Sequence, residues 1–81
     1  MQLTIISPSQ KKHYDIAWIE LNTDKGNYVI QPGHAPTFFS LKAHAPFTYC
    51  LKNGEQVTVM VKRAMVEVTR NQITFLLADF D

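Results

Sequence analysis

Along most of this chain the apolar residues recur at every second position, the period of a strand with one face buried. Leu3 and Ile5 open a first strand, which Ser7-Pro8-Ser9 ends. Residues 14–21 read as a second, with Ala17, Ile19 and Leu21 on one face and Ile16, Trp18 and Glu20 on the other. The polar run 22–27 is a turn in which Gly26 is free to take positive φ. Residues 28–31 form a short strand stopped by Pro32-Gly33, and residues 38–41 follow. Phe47, Tyr49 and Leu51 alternate with Thr48, Cys50 and Lys52. Asn53-Gly54 then predicts a type I′ hairpin turn, with positive φ at both positions. Val57, Val59 and Val61 make the return strand, and residues 65–69 and 73–77 form a last hairpin around Arg70-Asn71.

About eight short strands with turns every 8–12 residues predict an all-β fold, a two-sheet β-sandwich. No capped amphipathic helix, repeat or linker interrupts residues 1–81, which read as one domain. Phe38, Phe39 and Phe47 are assigned to the core. Trp18 falls beside Glu20 on the face away from the core, where an exposed indole would mark an interface.

Composition changes this picture only by exclusion. With 46% hydrophobic and 19% charged residues, the chain can pack a core. A formal net charge of +1 disfavours nucleic acid or an anionic membrane surface as the main partner. Cys50 is the only cysteine, so no intrachain disulfide is available, and a reducing compartment is the natural reading. The N-terminus has no signal-peptide pattern, and no apolar run approaches the roughly 20 residues of a membrane span. The chain is expected to be soluble, or held at a membrane through a partner without inserting itself.

Candidate chemistry is sparse. His13, Asp15, His34, His44, Cys50 and Asp79 are the residues that invite catalytic or metal roles, and none stands at zinc-ligand spacing. No phosphate-binding loop occurs. No cofactor is implied and a non-catalytic chain is expected. The aromatics Tyr14, Trp18, Tyr28, Phe38, Phe39, Phe47 and Phe80 offer the alternative of an unrelated binding sandwich with an aromatic platform for peptide or carbohydrate.

The most informative stretch is Pro32-Gly33-His34-Ala35-Pro36. Pro32 fixes its own φ, Gly33 can take a conformation closed to other residues, and Pro36 forces Ala35 to be extended. His34 is thereby held on a stiff corner, which is either a bend between sheets or a rigid contact point.

This run, following Gly26 and Ile30, resembles the signature Gly-x-x-Gly-(Ile/Val)-x-Pro-Gly-His-Ala-Pro of the epsilon subunit of F-type ATP synthases, called delta in mitochondria. The opening Ile5-Ile6-Ser7-Pro8, the element Met65-Val66-Glu67-Val68 and the closing run Ile73 to Ala78 are similar to that family in order, over roughly residues 2–79. Three family glycine sites are replaced: by Val29, by Ala43-His44 in place of Pro-Gly, and by Lys62-Arg63-Ala64 in place of Ser-Gly-Gly. Local turns are expected to differ there.

The resemblance implies a non-catalytic central-rotor subunit in a hetero-oligomeric complex, packed on the gamma subunit and resting on the membrane c-ring. It would couple proton or sodium transport to ATP synthesis or hydrolysis, peripheral to the cytoplasmic side of a bacterial inner membrane or to the chloroplast or mitochondrial equivalent. It places Ser7, Pro32, Gly33, His34, Ala35 and Ser40 towards gamma; the alternation reading adds Trp18 as a further contact on an exposed face. It places Thr23, Asp24, Lys25, Gly26, Asn27 and Tyr28 towards the ring; Asn27 stands where many relatives carry an acid. The family's C-terminal helical hairpin, an inhibitor of hydrolysis, is not in the sequence, so a subunit without that brake is expected. An epsilon-like subunit of an atypical rotary ATPase is the remaining alternative.

Overall fold

The computed structural model describes residues 1–79. The strands are β1 Gln2–Ile6, β2 Lys11–Thr23, β3 Gly26–Ile30, β4 Thr37–Ser40, β5 Ala45–Leu51, β6 Gln56–Val61, β7 Arg63–Val68 and β8 Gln72–Asp79, with no helix among the described residues. They form two layers, as the alternation predicts. One sheet runs β4-β7-β8-β1 and ends on the first half of β2; the other joins β3, the second half of β2, β5 and β6. The β1–β8 pair is parallel and the rest are antiparallel.

The thirteen-residue β2 belongs to both layers. Residues 11–15 pair with β1, whereas Ile16 to Thr23 pair with β5 and β3. The register slips at Ala17, where two residues of β2 oppose one step of β5. Such a bulge bends the strand and resets its inside–outside alternation. Ile16 therefore joins Ile19 and Leu21 in the core, fully buried, although simple alternation puts it on the face of Trp18. The core is completed by Leu3, Ile30, Phe47, Val66, Val68, Ile73 and Phe75, with the rings of Phe47 and Phe75 stacked at 4.2 Å. Tyr49 lies against Tyr14, and burial, helped by a hydrogen bond with Tyr14, pushes its phenol up to about 12.

Three local expectations are corrected. Phe38 is exposed, because Phe38 and Phe39 are consecutive in a strand and only Phe39 can turn inward. The β5–β6 hairpin is not type I′: Gly54 has φ 95° but Asn53 does not have positive φ. Instead the Gly54 N–H donates to the Leu51 carbonyl and the Leu51 N–H to the Glu55 carbonyl, closing a three-residue loop with glycine at its left-handed position.

The third correction concerns the replaced glycines. Where the family resemblance puts Pro-Gly, His44 itself takes φ 56°. The backbone keeps the left-handed bend and the side chain tolerates it, while the His44 N–H donates to the Lys62 carbonyl at 3.2 Å. Val29 is an ordinary strand residue opposite Glu20, and a register shift between Arg63 and Ala64 absorbs the third site.

A non-glycine residue in that region costs about 1–2 kcal/mol, offset in part by the extra freedom glycine has in the unfolded chain. His44→Gly is expected to stabilise the domain by about 0.5–1 kcal/mol, read as a higher urea midpoint at unchanged m-value.

Candidate partner-binding surface

The chain crosses from the second sheet to the first between Ile30 and Thr37, and the Pro-Gly-His-Ala-Pro run is that crossing. Pro32 and the positive-φ Gly33 (89°) occupy the two central positions of a turn closed by the His34 N–H on the Gln31 carbonyl, the type II arrangement. The Gly33 N–H donates to the Arg70 carbonyl at 2.9 Å, tying the corner to the β7–β8 turn. The His34 ring donates from Nδ1 to the Ala35 carbonyl at 2.7 Å and lies 6.4 Å from the Phe39 ring. The corner is thus a bend between sheets, and a stiff one.

Beside it, β3 and β4 are the facing borders of the two layers, and an open groove of about 620 Å³ runs along the seam. His34, Phe39 and Ser40 line it together with Asp24, Lys25 and Tyr28, and the Tyr28 and Phe39 rings meet at 4.9 Å. The groove also reaches Phe38 and Met65 and so opens onto the outer face of the first sheet.

On that outer face the strand registers assemble a feature the sequence reading missed. Ser40 pairs with Met65, Met65 with Leu76 and Leu76 with Ile6, so these four side chains form one transverse row. Phe38 lies two residues from Ser40 on the same face. Phe38, Met65 and Leu76 are 68%, 52% and 46% exposed, a contiguous apolar strip on a small domain. Ile6 pairs in turn with Lys11 of β2, which closes the apolar row with a cation, and Ser7 follows Ile6 in the β1–β2 turn. The parity of Phe38 against Phe39 and of Met65 against Val66 was the available signal.

The structure therefore brings Ser7, His34 and Ser40 to the borders of one surface, with Pro32, Gly33 and Ala35 beside it. It does not bring Trp18 there. Trp18 sits on the second sheet opposite Cys50 and is half-buried rather than exposed. Cys50 is buried outside the core cluster, its Sγ–H on the Leu51 carbonyl.

The residues expected at the ring side form the β2–β3 hairpin. Thr23 is buried and structural: its hydroxyl donates to the Gly26 carbonyl and accepts from the Lys25 N–H. Gly26 has φ 126°, and the Asn27 amide donates to the Asn22 side-chain oxygen at 2.9 Å. Asp24, Lys25, Asn27 and Tyr28 are exposed.

The candidate chemical residues do not converge. His13 bonds Thr4, Asp15 pairs with Lys52, and no three His, Cys, Asp or Glu side chains come together among the described residues. No helix there is long and apolar enough to cross a membrane. Phe80, Asp81 and the side chain of Asp79 lie outside the described residues.

Solved structures share this architecture. A chain of the Euglena gracilis mitochondrial ATP synthase, in its OSCP/F1/c-ring structure, matches with a TM-score of 0.85 at 18% identity, over 95% of this chain and 49% of that one. A chain of the Tetrahymena thermophila mitochondrial ATP synthase central stalk and c-ring structure matches with 0.78 at 19% identity, over 100% of this chain and 66% of that one. The present chain thus spans about half and about two thirds of those neighbours. Among curated proteins none matches. The family model for the ATP synthase delta/epsilon chain β-sandwich domain matches residues 1–80, and the chain belongs to that family.

Proposed function

We propose that this domain is a non-catalytic rotor-stalk element of an F-type ATP synthase. It docks the gamma subunit through the apolar row and the adjoining corner, and presents the β2–β3 hairpin end to the c-ring. It is peripheral to the membrane, held there by its partners, and couples ion transport to ATP synthesis or hydrolysis by transmitting rotation. The observation that carries the reading is the strip of exposed Phe38, Met65 and Leu76 with half-buried Ile6 on a chain of the delta/epsilon family, continuous with His34 and Ser40.

Rotor work asks for rigidity and adhesion rather than chemistry. A close-packed sandwich core transmits strain with little compression. The corner is held by Pro32, the Gly33 and His34 backbone bonds and the Nδ1 bond of His34, so docking immobilises little that was mobile. The apolar strip supplies affinity, since covering a side chain such as Phe38 or Met65 is worth about 1.5–3 kcal/mol.

Titration of variants against a purified gamma subunit tests this directly. Phe38→Ser should weaken binding by about 1.5–3 kcal/mol and His34→Ala by about 1–2 kcal/mol. Neither should lower thermal stability much, because Phe38 is exposed and the ring of His34 bonds only its neighbouring carbonyl. Gly33→Val is the contrasting control: nothing crowds a new Cβ there, yet positive φ strains a β-branched residue, so about 1–3 kcal/mol of fold stability should be lost. If His34→Ala melts the domain while folded molecules keep full gamma affinity, the corner is a bend and nothing more.

A further inference from the structure

Three connections meet at the end of the sandwich that carries the β2–β3 hairpin. Thr23 bridges Leu41, the Lys42 N–H donates to the Asn22 carbonyl, the Leu41 N–H to the Ala64 carbonyl and the His44 N–H to the Lys62 carbonyl. These bonds stitch the β2–β3 turn, the 41–44 loop and the β6–β7 bend into one surface. Four of the eight Lys and Arg residues lie on it: Lys25, Lys42, Lys62 and Arg63. Lys25, Lys42 and Arg63 are exposed, as is His44. Asp24 is the acidic side chain described on these connections, and Arg63 stands in register with Asp79, so the cations the inference uses are Lys25 and Lys42.

Between the turn and the loop lies an open recess of about 390 Å³, lined by Asn22, Asn27, Lys42 and His44 among others. Its floor is polar: the Asn22 amide donates to the Pro46 carbonyl and the Asn27 amide to Asn22. A carboxylate at its mouth would meet the Lys42 ammonium at the rim, a charge-assisted contact.

From this we infer that the loop end docks on an acidic protein surface, a partner loop that places Asp or Glu side chains against Lys42 and Lys25. The inference deepens the rotor reading and rests on it for the identity of that partner as the ring. At Asn27, the position where the resemblance leads one to expect an acid, the chain has a neutral amide within a basic rim, so the charge complementarity has the opposite sign. A protein surface fits better than a bilayer. The exposed large apolar side chains, Phe38, Met60, Met65, Leu76, Val29 and Tyr28, are on strands, and none is on the three connections to insert among lipid tails. The domain's net charge of +1 also offers little attraction to an anionic leaflet.

The test uses the complex of the full chain with its gamma subunit, binding to the isolated c-ring of the same enzyme at 50 and 300 mM KCl. An electrostatic contact at the rim predicts about tenfold weaker binding at the higher salt. The Lys25→Glu/Lys42→Glu variant should bind about tenfold or more weakly at 50 mM, with the deficit shrinking at 300 mM. Lys52→Glu, at the far end of β5, should stay within about twofold of wild type. Ring binding indifferent to both salt and charge reversal would overturn the inference and leave the rotor reading standing. Equal binding to phosphatidylglycerol vesicles without ring would overturn it in favour of lipid phosphate. A gamma-bound complex that never binds the ring would overturn the ring-facing assignment itself, and this inference with it.

Discussion

Between Ile16 and Trp18 the register of β2 against β5 slips, and the two sheets owe their relation to that slip. A thirteen-residue strand that kept strict alternation would offer one apolar face to one sheet. The bulge lets β2 pair with β1 before it and with β5 and β3 after it, and keeps Ile16, Ile19 and Leu21 all pointing into one core. The remaining connections follow from having two layers joined through that strand. The 31–36 corner must carry the chain across from β3 to β4, and Lys62 must carry it back from β6 to β7. Leaving β3 and β4 as unpaired neighbours opens the groove whose walls hold His34 and Tyr28.

The strand count, the hairpins and most of the core were legible in the sequence because they depend on near-neighbour alternation and on turn residues. What it hid depends on shifts of a single residue. A bulge has no residue signature as plain as a glycine turn, so Ile16 was read on the wrong face. Asn53-Gly54 looks like a two-residue turn, but glycine alone takes positive φ. The His44 backbone keeps a bend that composition alone would assign to glycine. The candidate surface was half visible. The Pro-Gly-His-Ala-Pro corner announces itself through its own stereochemistry, whereas the Met65–Leu76–Ile6 row exists only once three strands from distant parts of the chain are in register.

The two proposed docking regions differ in the forces they offer. The outer face of the first sheet carries an apolar row beside a braced corner, suited to permanent burial. The loop end is polar and charged, suited to an interface whose strength responds to ionic conditions. They share the seam between β3 and β4, where the rings of Tyr28, Phe39 and His34 stand in series at 4.9 and 6.4 Å, a path by which, in the proposed role, a load on the hairpin end would bear on the corner. That continuity is a physical basis for a stalk element that holds one partner firmly while bearing on another.

Two methionines provide an internal comparison for the central claim that the outer face of the first sheet is the gamma-binding surface. Met65 stands in the apolar row and is 52% exposed; Met60 stands on β6 of the other sheet and is 67% exposed. Peroxide oxidation of the free domain and of its complex with gamma, followed by mass spectrometry, reads both sites at once. Met65 should oxidise severalfold more slowly in the complex while Met60 keeps its free rate. Unchanged oxidation at Met65, or protection of Met60 in its place, would contradict the account.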